Sequence, residues 1–420
     1  MPDTDHLGRP IVAITGTGVL TSLGVGQAEN WRALTAGVSG IHRIARFPIG
    51  GLRTTVAGTV DFVPVDQPSA PELAQRLAEI AIAEALAEAA IGRPGDFPGP
   101  LFLALPPVEL EWTQRRALAL TGGPTYAGMI SAANAGHFEP WFERFLFASV
   151  GERLADRFGT KGSPIATSTA CASGGTAIQL GVEAIRRGEC DAALVVGTDA
   201  SVNPESLIRF SLLSALSTRN DPPSAAARPF SKDRDGFVMA EGAGALVLES
   251  LTHARARGAV ILGLIEGCGE AADGFHRTRS SPDGKPIVAC MARALADAGL
   301  APEAIDYVNA HGTGTPENDK MEWNGVAAVF GERATSLPMS SNKSMIGHTL
   351  TAAGAIEAIF TLYTIRYGVL PPTINYDIPD PALPVDCVPN VARAAVVRHA
   401  ISNSFGFGGQ NVCLAIGAAP

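Results

Sequence analysis

At 420 residues, 46% of them hydrophobic and 17% charged, the chain reads as a well-buried globular protein too long for one ordinary core, so two packed halves or one large layered domain are expected. Its net charge of −9, with no run of lysine or arginine, argues against a nucleic-acid surface. No stretch of about eighteen uninterrupted apolar residues exists, so no membrane span is expected; residues 360–370 come nearest, and Arg366 interrupts them.

The start, Met1-Pro2-Asp3-Thr4-Asp5, has no basic segment followed by an apolar one, so no signal peptide is expected. Residues 11–16 read as a buried strand ending in a glycine-rich loop, 17–26, and a helix carrying Trp31 and Leu34 follows. Residues 71–91, rich in Ala, Leu and Glu at helical spacing, predict an amphipathic helix. Residues 101–105 predict a strand, whereas 106–147 carry no readable pattern. A short strand at 165–167 enters the turn Ser168-Thr169-Ala170-Cys171-Ala172-Ser173-Gly174-Gly175. Beyond it, Ala177, Leu180, Gly181, Ala184 and Ile185 mark one face of a helix that Gly188 closes. Strands are expected at 192–196, 244–248 and 260–265. The second half echoes the first in pattern: helix 287–298, strand 305–310 delivering His311, Pro338-Met339-Ser340 leading to the loop 343–348, and helix 352–367. A strand at 400–404, a glycine hinge and a strand at 412–416 close the chain. Strands alternating with helices argue for an α/β architecture with its sheets covered on their faces.

The six cysteines (171, 190, 268, 290, 387 and 413) are scattered, with no Cys-x-x-Cys pair. That spacing argues against zinc and a disulfide framework and for reduced thiols in a cytosolic protein. Five of them read as buried small hydrophobes. Taken alone, the sequence around Cys171 favours the same reading. Two histidine loops change it. His311 follows a predicted strand and opens Gly312-Thr313-Gly314-Thr315-Pro316, where Thr313 and Thr315 offer hydroxyls to a polar ligand arm. His348 stands beside Gly347, five residues after Lys343. A thiol at a helix start has its pKa lowered from about 8.5 by free amide hydrogens and the helix dipole. One such thiol with two imidazoles brought to it suits acyl-thioester chemistry.

Together with Ala215-Leu216-Ser217-Thr218-Arg219-Asn220-Asp221, Arg228-Pro229-Phe230, Asp233-Arg234-Asp235-Gly236-Phe237-Val238 and Asn403-Ser404-Phe405-Gly406-Phe407-Gly408-Gly409, these motifs resemble the β-ketoacyl-[acyl carrier protein] synthases of the type II elongating class. The likeness runs from Ser163 to the C-terminus and returns in roughly the first sixty residues. It implies an α/β thiolase fold: two similar βαβαβαββ halves in a five-layered α-β-α-β-α core, divided as 1–255 and 256–420. The first half would carry Cys171, with 61–150 as a divergent acyl-pocket, dimer and cap region. The second would carry both histidines and the Phe407 loop.

The resemblance also implies roles. Cys171 would take an acyl chain from carrier protein, and His311 and His348 would hold the carbonyl oxygen of a malonyl thioester as carbon dioxide leaves. The backbone amides of Cys171 and Phe407 would bind the oxyanion formed when the carbanion attacks. Lys343 would organise the site, paired with Glu357; Asp319 and Glu322 would brace the first histidine loop. Thr313 and Thr315 would contact pantetheine, and Phe407 between its glycines would gate the acyl pocket. A homodimer, acyl carrier protein as partner in its acyl and malonyl forms, and a cytoplasmic setting are implied. No metal and no redox or organic cofactor is implied, nor any nucleic acid or membrane insertion.

The chain departs from the family in two places. Residues 61–148 do not follow its pattern, and where relatives carry a basic helix for the carrier, residues 71–91 hold only Arg76 among Glu72, Glu79, Glu84 and Glu88. Ser214 stands where many relatives have arginine. The carrier dock is therefore expected to use other residues or to serve a specialised carrier, and very long or modified chains or a polyketide stay open as products. Residues 125–129, with Gly128, Met129 and Ile130, are candidates for the tunnel end. The rival readings are a non-catalytic chain-length partner subunit, which would lack the nucleophile, and a thiolase, for which Cys413 lies in a strand pattern instead of a glycine loop.

Overall fold

A computed structural model describes residues 3–65, 69–136 and 138–420; Met1 and Pro2 of the start lie outside it. Ten strands and six helices build the core. The first half runs β1 (Val12–Thr21), α1 (Ala70–Ala89), β2 (Leu101–Ala104), α2 (Ser149–Phe158), β3 (Ile165–Thr167), α3 (Ser173–Arg186), β4 (Ala192–Asp199) and β5 (Gly242–Ser250). The second runs β6 (Gly263–Ala272), α4 (Lys285–Ala298), β7 (Tyr307–Asn309), α5 (Pro316–Phe330), β8 (Met339–Ser340), α6 (Ala353–Tyr367), β9 (His399–Phe405) and β10 (Gln410–Ala418). Each is a βαβαβαββ unit. Strand order is β8-β7-β9-β10-β6-β1-β5-β4-β2-β3, so both halves repeat one order outward from a seam between β1 and β6.

The pairing types repeat as well. β1–β5 and β5–β4 are antiparallel, while β4–β2 and β2–β3 are parallel. In the second half β6–β10 and β10–β9 are antiparallel, while β9–β7 and β7–β8 are parallel. At the seam Val12, Ala13 and Ile14 pair with Ile265, Leu264 and Gly263, which makes one continuous sheet. α3 and α6 pack on each other and touch strands of both halves, α1 covers β1, β5 and β4, and α4 covers β6 and β10. The result is the five-layered core the resemblance implies.

Glycine accounts for two differences from the sequence reading. β1 does not stop at Gly16 but continues through Gly18 to Thr21. A Cβ on Gly16 or Gly18 would stand 2.2 or 2.0 Å from the carbonyl oxygens of Ala85 and Ala81. Here glycine lets α1 lie on the strand instead of breaking it. β6 likewise begins at Gly263 and runs on to Ala272, with Gly267 and Gly269 under α4. Between the halves, a Cβ on Gly174 would meet the Ala355 nitrogen at 2.5 Å, so α3 and α6 are in backbone contact. The unreadable stretch contains three short helices, Trp112–Gly122, Tyr126–Asn134 and Glu139–Arg144, that bury almost nothing. That is why no apolar period marks them.

Candidate active site

In each half the functional loops leave the carboxyl ends of parallel strands, the usual place for chemistry in α/β sheets. β3 leads to Cys171, β7 to His311, β8 to Lys343 and His348, and β9 to Phe407. Cys171 lies in a single 3-10 turn, Ala170–Ala172, that runs straight into α3; Ala170 is held at φ +50°. Ser173 ties this turn down, accepting from the Thr169 N–H at 2.8 Å and donating to the Ala170 carbonyl at 2.5 Å.

The fold brings Cys171, His311 and His348 together: the sulfur and one ring nitrogen from each histidine lie within 4.8 Å of one another, all buried. The two imidazoles meet edge to face at 5.3 Å. Phe405 packs edge to face with His311 at 5.7 Å and Phe237 with His348 at 5.2 Å. These two aromatics belong to motifs singled out in the sequence, which assigned them no role. Burial, reinforced by the Lys343 cation, pushes both histidines well below the usual imidazole range, so both are neutral. The tautomers follow from their neighbours. The Leu350 N–H donates to His348 Nδ1 at 3.3 Å, and Lys343 Nζ stands 3.5 Å from His311 Nδ1. With Nδ1 accepting in each ring, Nε2 carries the proton, giving two neutral N–H donors beside the thiol.

Lys343 is buried and bonds to the Glu357 carboxylate, as expected. Glu357 is pushed up to about 7 by burial, against the pull of Lys343. Glu322 receives the His311 and Gly312 N–H groups at 2.8 and 2.7 Å and is held from behind by Asn403 at 3.1 Å. Asp319 takes the Gly314 N–H at 3.2 Å and the Phe230 N–H at 2.7 Å. Both acids thus hold the first histidine loop through its backbone. Thr313 and Thr315 are engaged with each other at 2.9 Å, and Thr315 also caps α5 by accepting from the Asn318 N–H. Asp199, which no motif signalled, is buried at the end of β4 and takes the Thr351 hydroxyl at 2.7 Å.

One expectation is reversed. The Cys171 thiol is pushed up to about 11, not lowered: burial dominates, and the Lys343 cation and the Phe407 N–H that bonds the sulfur only partly offset it. That same N–H places the Phe407 backbone at the reacting atom, where the sequence reading put the oxyanion.

Two cavities meet at Cys171. The larger, about 690 Å³, runs past Phe210, Leu350, Leu105, Pro106 and Val108 to Glu109. The smaller, about 490 Å³, holds His311, His348, Thr313 and Thr315. Phe407 lines both, as a gate requires. Residues 125–130 do not line the larger cavity within the chain. Their helix, Tyr126–Asn134, lies outside with Tyr126 and Ile130 exposed, and residues 105–111 form the wall instead. Cys413 is sealed inside β10 opposite Asn403, and among the described residues Cys171 is the thiol grouped with the two histidines.

Residues 115–254 match the family described as "Beta-ketoacyl synthase, N-terminal domain" and residues 262–377 its C-terminal counterpart. The chain is 37% identical over 416 residues to the "3-oxoacyl-[acyl-carrier-protein] synthase 2" of Coxiella burnetii, covering 96% of this chain and 98% of that one. It is 35% identical to the "Tetracenomycin polyketide synthase ketoacyl synthase alpha subunit" of Streptomyces glaucescens, over 97% and 96% of the two chains. Among solved structures, a ketosynthase in complex with a type II polyketide acyl-carrier protein superposes with a TM-score of 0.87 at 32% identity, covering 98% of this chain and 100% of that one. A β-ketoacyl synthase from Burkholderia phymatum gives 0.84 at 33% identity, with the same coverage.

Proposed function

The chain belongs to the β-ketoacyl synthase family, and from that membership and the geometry of its site we propose that it is an acyltransferase of fatty acid elongation: it condenses an acyl thioester with malonyl-[acyl carrier protein], releasing carbon dioxide, to give 3-oxoacyl-[acyl carrier protein]. In the first step Cys171 sulfur bonds to the acyl carbon, the carrier sulfur leaves, and the thiol proton ends on the carrier. The passing oxyanion is bound by the N–H groups of Cys171 and Phe407. In the second step the malonyl carbon–carboxylate bond breaks and its electron pair moves onto the thioester oxygen, held by the two Nε2–H groups of His311 and His348. The freed carbon then bonds to the acyl carbon and Cys171 leaves. Lys343, Glu357, Asp319 and Glu322 act as positioning residues, and Thr313 and Thr315 line the path of the pantetheine arm.

The observation that carries this reading is the thiol and two neutral imidazole donors within 4.8 Å, at the junction of two cavities. An intact nucleophile speaks against a non-catalytic partner subunit. Relatives named for polyketide synthesis stand at 35–36% identity, no nearer than the 3-oxoacyl synthases at 37%. The reading includes a division into halves 1–255 and 256–420, supported by the repeated topology, and a homodimer joined across the open edge strand β3, where Ile165 is exposed. A cytoplasmic setting is supported by six cysteines that are all free. To test it, carrier protein charged with acyl chains of increasing length is mixed with the protein, malonyl carrier protein is added, and both proteins are followed by mass spectrometry. Acyl mass on the Cys171 peptide followed by a 3-oxoacyl product is expected; no adduct with any chain overturns the reading.

A further inference from the structure

On the reading above, the smaller cavity is the one through which a carrier-bound arm would reach Cys171, and its lining sets two arginines, Arg277 and Arg279, beside Asp273 and Glu317. Residues 276–280, His-Arg-Thr-Arg-Ser, line it together with Asp273. Arg277 and Arg279 are exposed, and neither guanidinium enters an ion pair or hydrogen bond among the described residues. Arg209, Arg219 and Arg234 are instead paired, with Glu109, Asp233 and Asp380. Exposed apolar side chains accompany the arginines, Phe275 on the same segment and Leu212, 80% exposed, in the lining of the same cavity.

The segment is not a loose loop. Asp273 accepts the Phe275 and Ser281 N–H groups at 3.0 and 2.7 Å, and its own N–H donates to the Gly409 carbonyl at 2.7 Å. The Arg277 carbonyl accepts the Gly408 N–H at 2.8 Å. The two free cations are therefore carried on a backbone clipped to the Phe407 loop. By contrast α1, which stands where relatives carry a basic helix, bears Glu72, Glu79, Glu84 and Glu88, and its one arginine, Arg76, is paired with Glu79.

We propose that the acyl carrier protein docks on this rim, its acidic face against Arg277 and Arg279 and an apolar contact against Leu212 and Phe275, and that α1 takes no part. The proposal rests on the condensing-enzyme reading above. The two arginines at the entrance complement an acidic partner, and the exposed apolar side chains beside them supply the contact that charge alone does not.

The test compares two acyl donors: an octanoyl-charged type II acyl carrier protein, and octanoyl-N-acetylcysteamine, which has the thioester without the protein. The double variant Arg277→Glu/Arg279→Glu is expected to raise KM for the charged carrier on the order of tenfold, with the gap closing as ionic strength rises. Loading of Cys171 from the small thioester stays at the wild-type rate, which also shows that the variant is folded. An unchanged carrier KM in the double variant overturns the proposal. So does a rise in KM with Arg76→Glu on α1 but not with the double variant. If wild-type protein is loaded by neither donor, the condensing-enzyme reading itself fails, a result distinct from either of these.

Discussion

The raised thiol of Cys171 makes a quantitative prediction about how this site starts its reaction. With the pKa pushed up to about 11, about one molecule in ten thousand holds a thiolate at pH 7, and the fraction rises tenfold with each pH unit until the pKa is approached. Alkylation by iodoacetamide follows the thiolate, so its rate at Cys171 is expected to climb about a hundredfold between pH 7 and pH 9 without levelling. The rate is read as the loss of free Cys171 in peptide mass spectra over time. Lys343 gives the control. Its cation favours the thiolate, so Lys343→Met moves the pKa further up and slows alkylation at every pH in that range. A rate that levels off below about pH 8 would refute the reasoning. It would mean that the amides of the Cys171 turn and the N-terminus of α3 outweigh burial, as the sequence alone suggested.

His348→Ala and His311→Ala are expected to leave acyl loading of Cys171 intact while lowering condensation by about 10²–10³, the cost of one lost oxyanion donor; single-turnover mass spectrometry separates the two steps. Glu357→Leu strands the buried Lys343 charge and should destabilise the fold by about 3–5 kcal/mol in urea titration, whereas Glu357→Leu with Lys343→Met recovers most of that loss. Gly18→Val drives a side chain into the Ala81 carbonyl and should cost about 1–3 kcal/mol, seen as a lowered Tm, because backbone of α1 must yield.

What the sequence made legible divides along a physical line. Cys171, His311, His348, Lys343 and the Phe407 loop sit on motifs whose glycines and small residues have a local reason, so a linear reading finds them. The β1 boundary is not legible because a glycine at a loop and a glycine under a crossing helix look alike in sequence; only the approach of Ala81 and Ala85 tells them apart. The Cys171 pKa runs against its local sequence because the helix start is local, whereas the burial that overrides it comes from Phe237, Leu350 and the other side chains gathered around it from distant segments. Asp199 was missed because its partner, Thr351, lies 152 positions away.

The duplicated topology explains one feature that would otherwise be assigned to catalysis. Ala170, before the nucleophile, is held at φ +50°, the kind of left-handed backbone commonly attributed to strain at a reactive residue. Its counterpart in the second half is Leu350, at φ +47°, in a 3-10 turn Leu350–Ala352 that runs into α6 as Ala170–Ala172 runs into α3. The residue matching Cys171 there is Thr351, which bonds to buried Asp199 and has no thiol chemistry. The left-handed residue therefore belongs to the architecture: both turns must hand their chain to a helix in backbone contact with its twin, at Gly174 and Gly354. One copy of that turn points a nucleophile at two histidines of the other half; the second ties the halves together through Asp199. The chemistry at Cys171 then comes from what the opposite half supplies, two neutral imidazoles and a lysine, and not from strain in the turn that carries it.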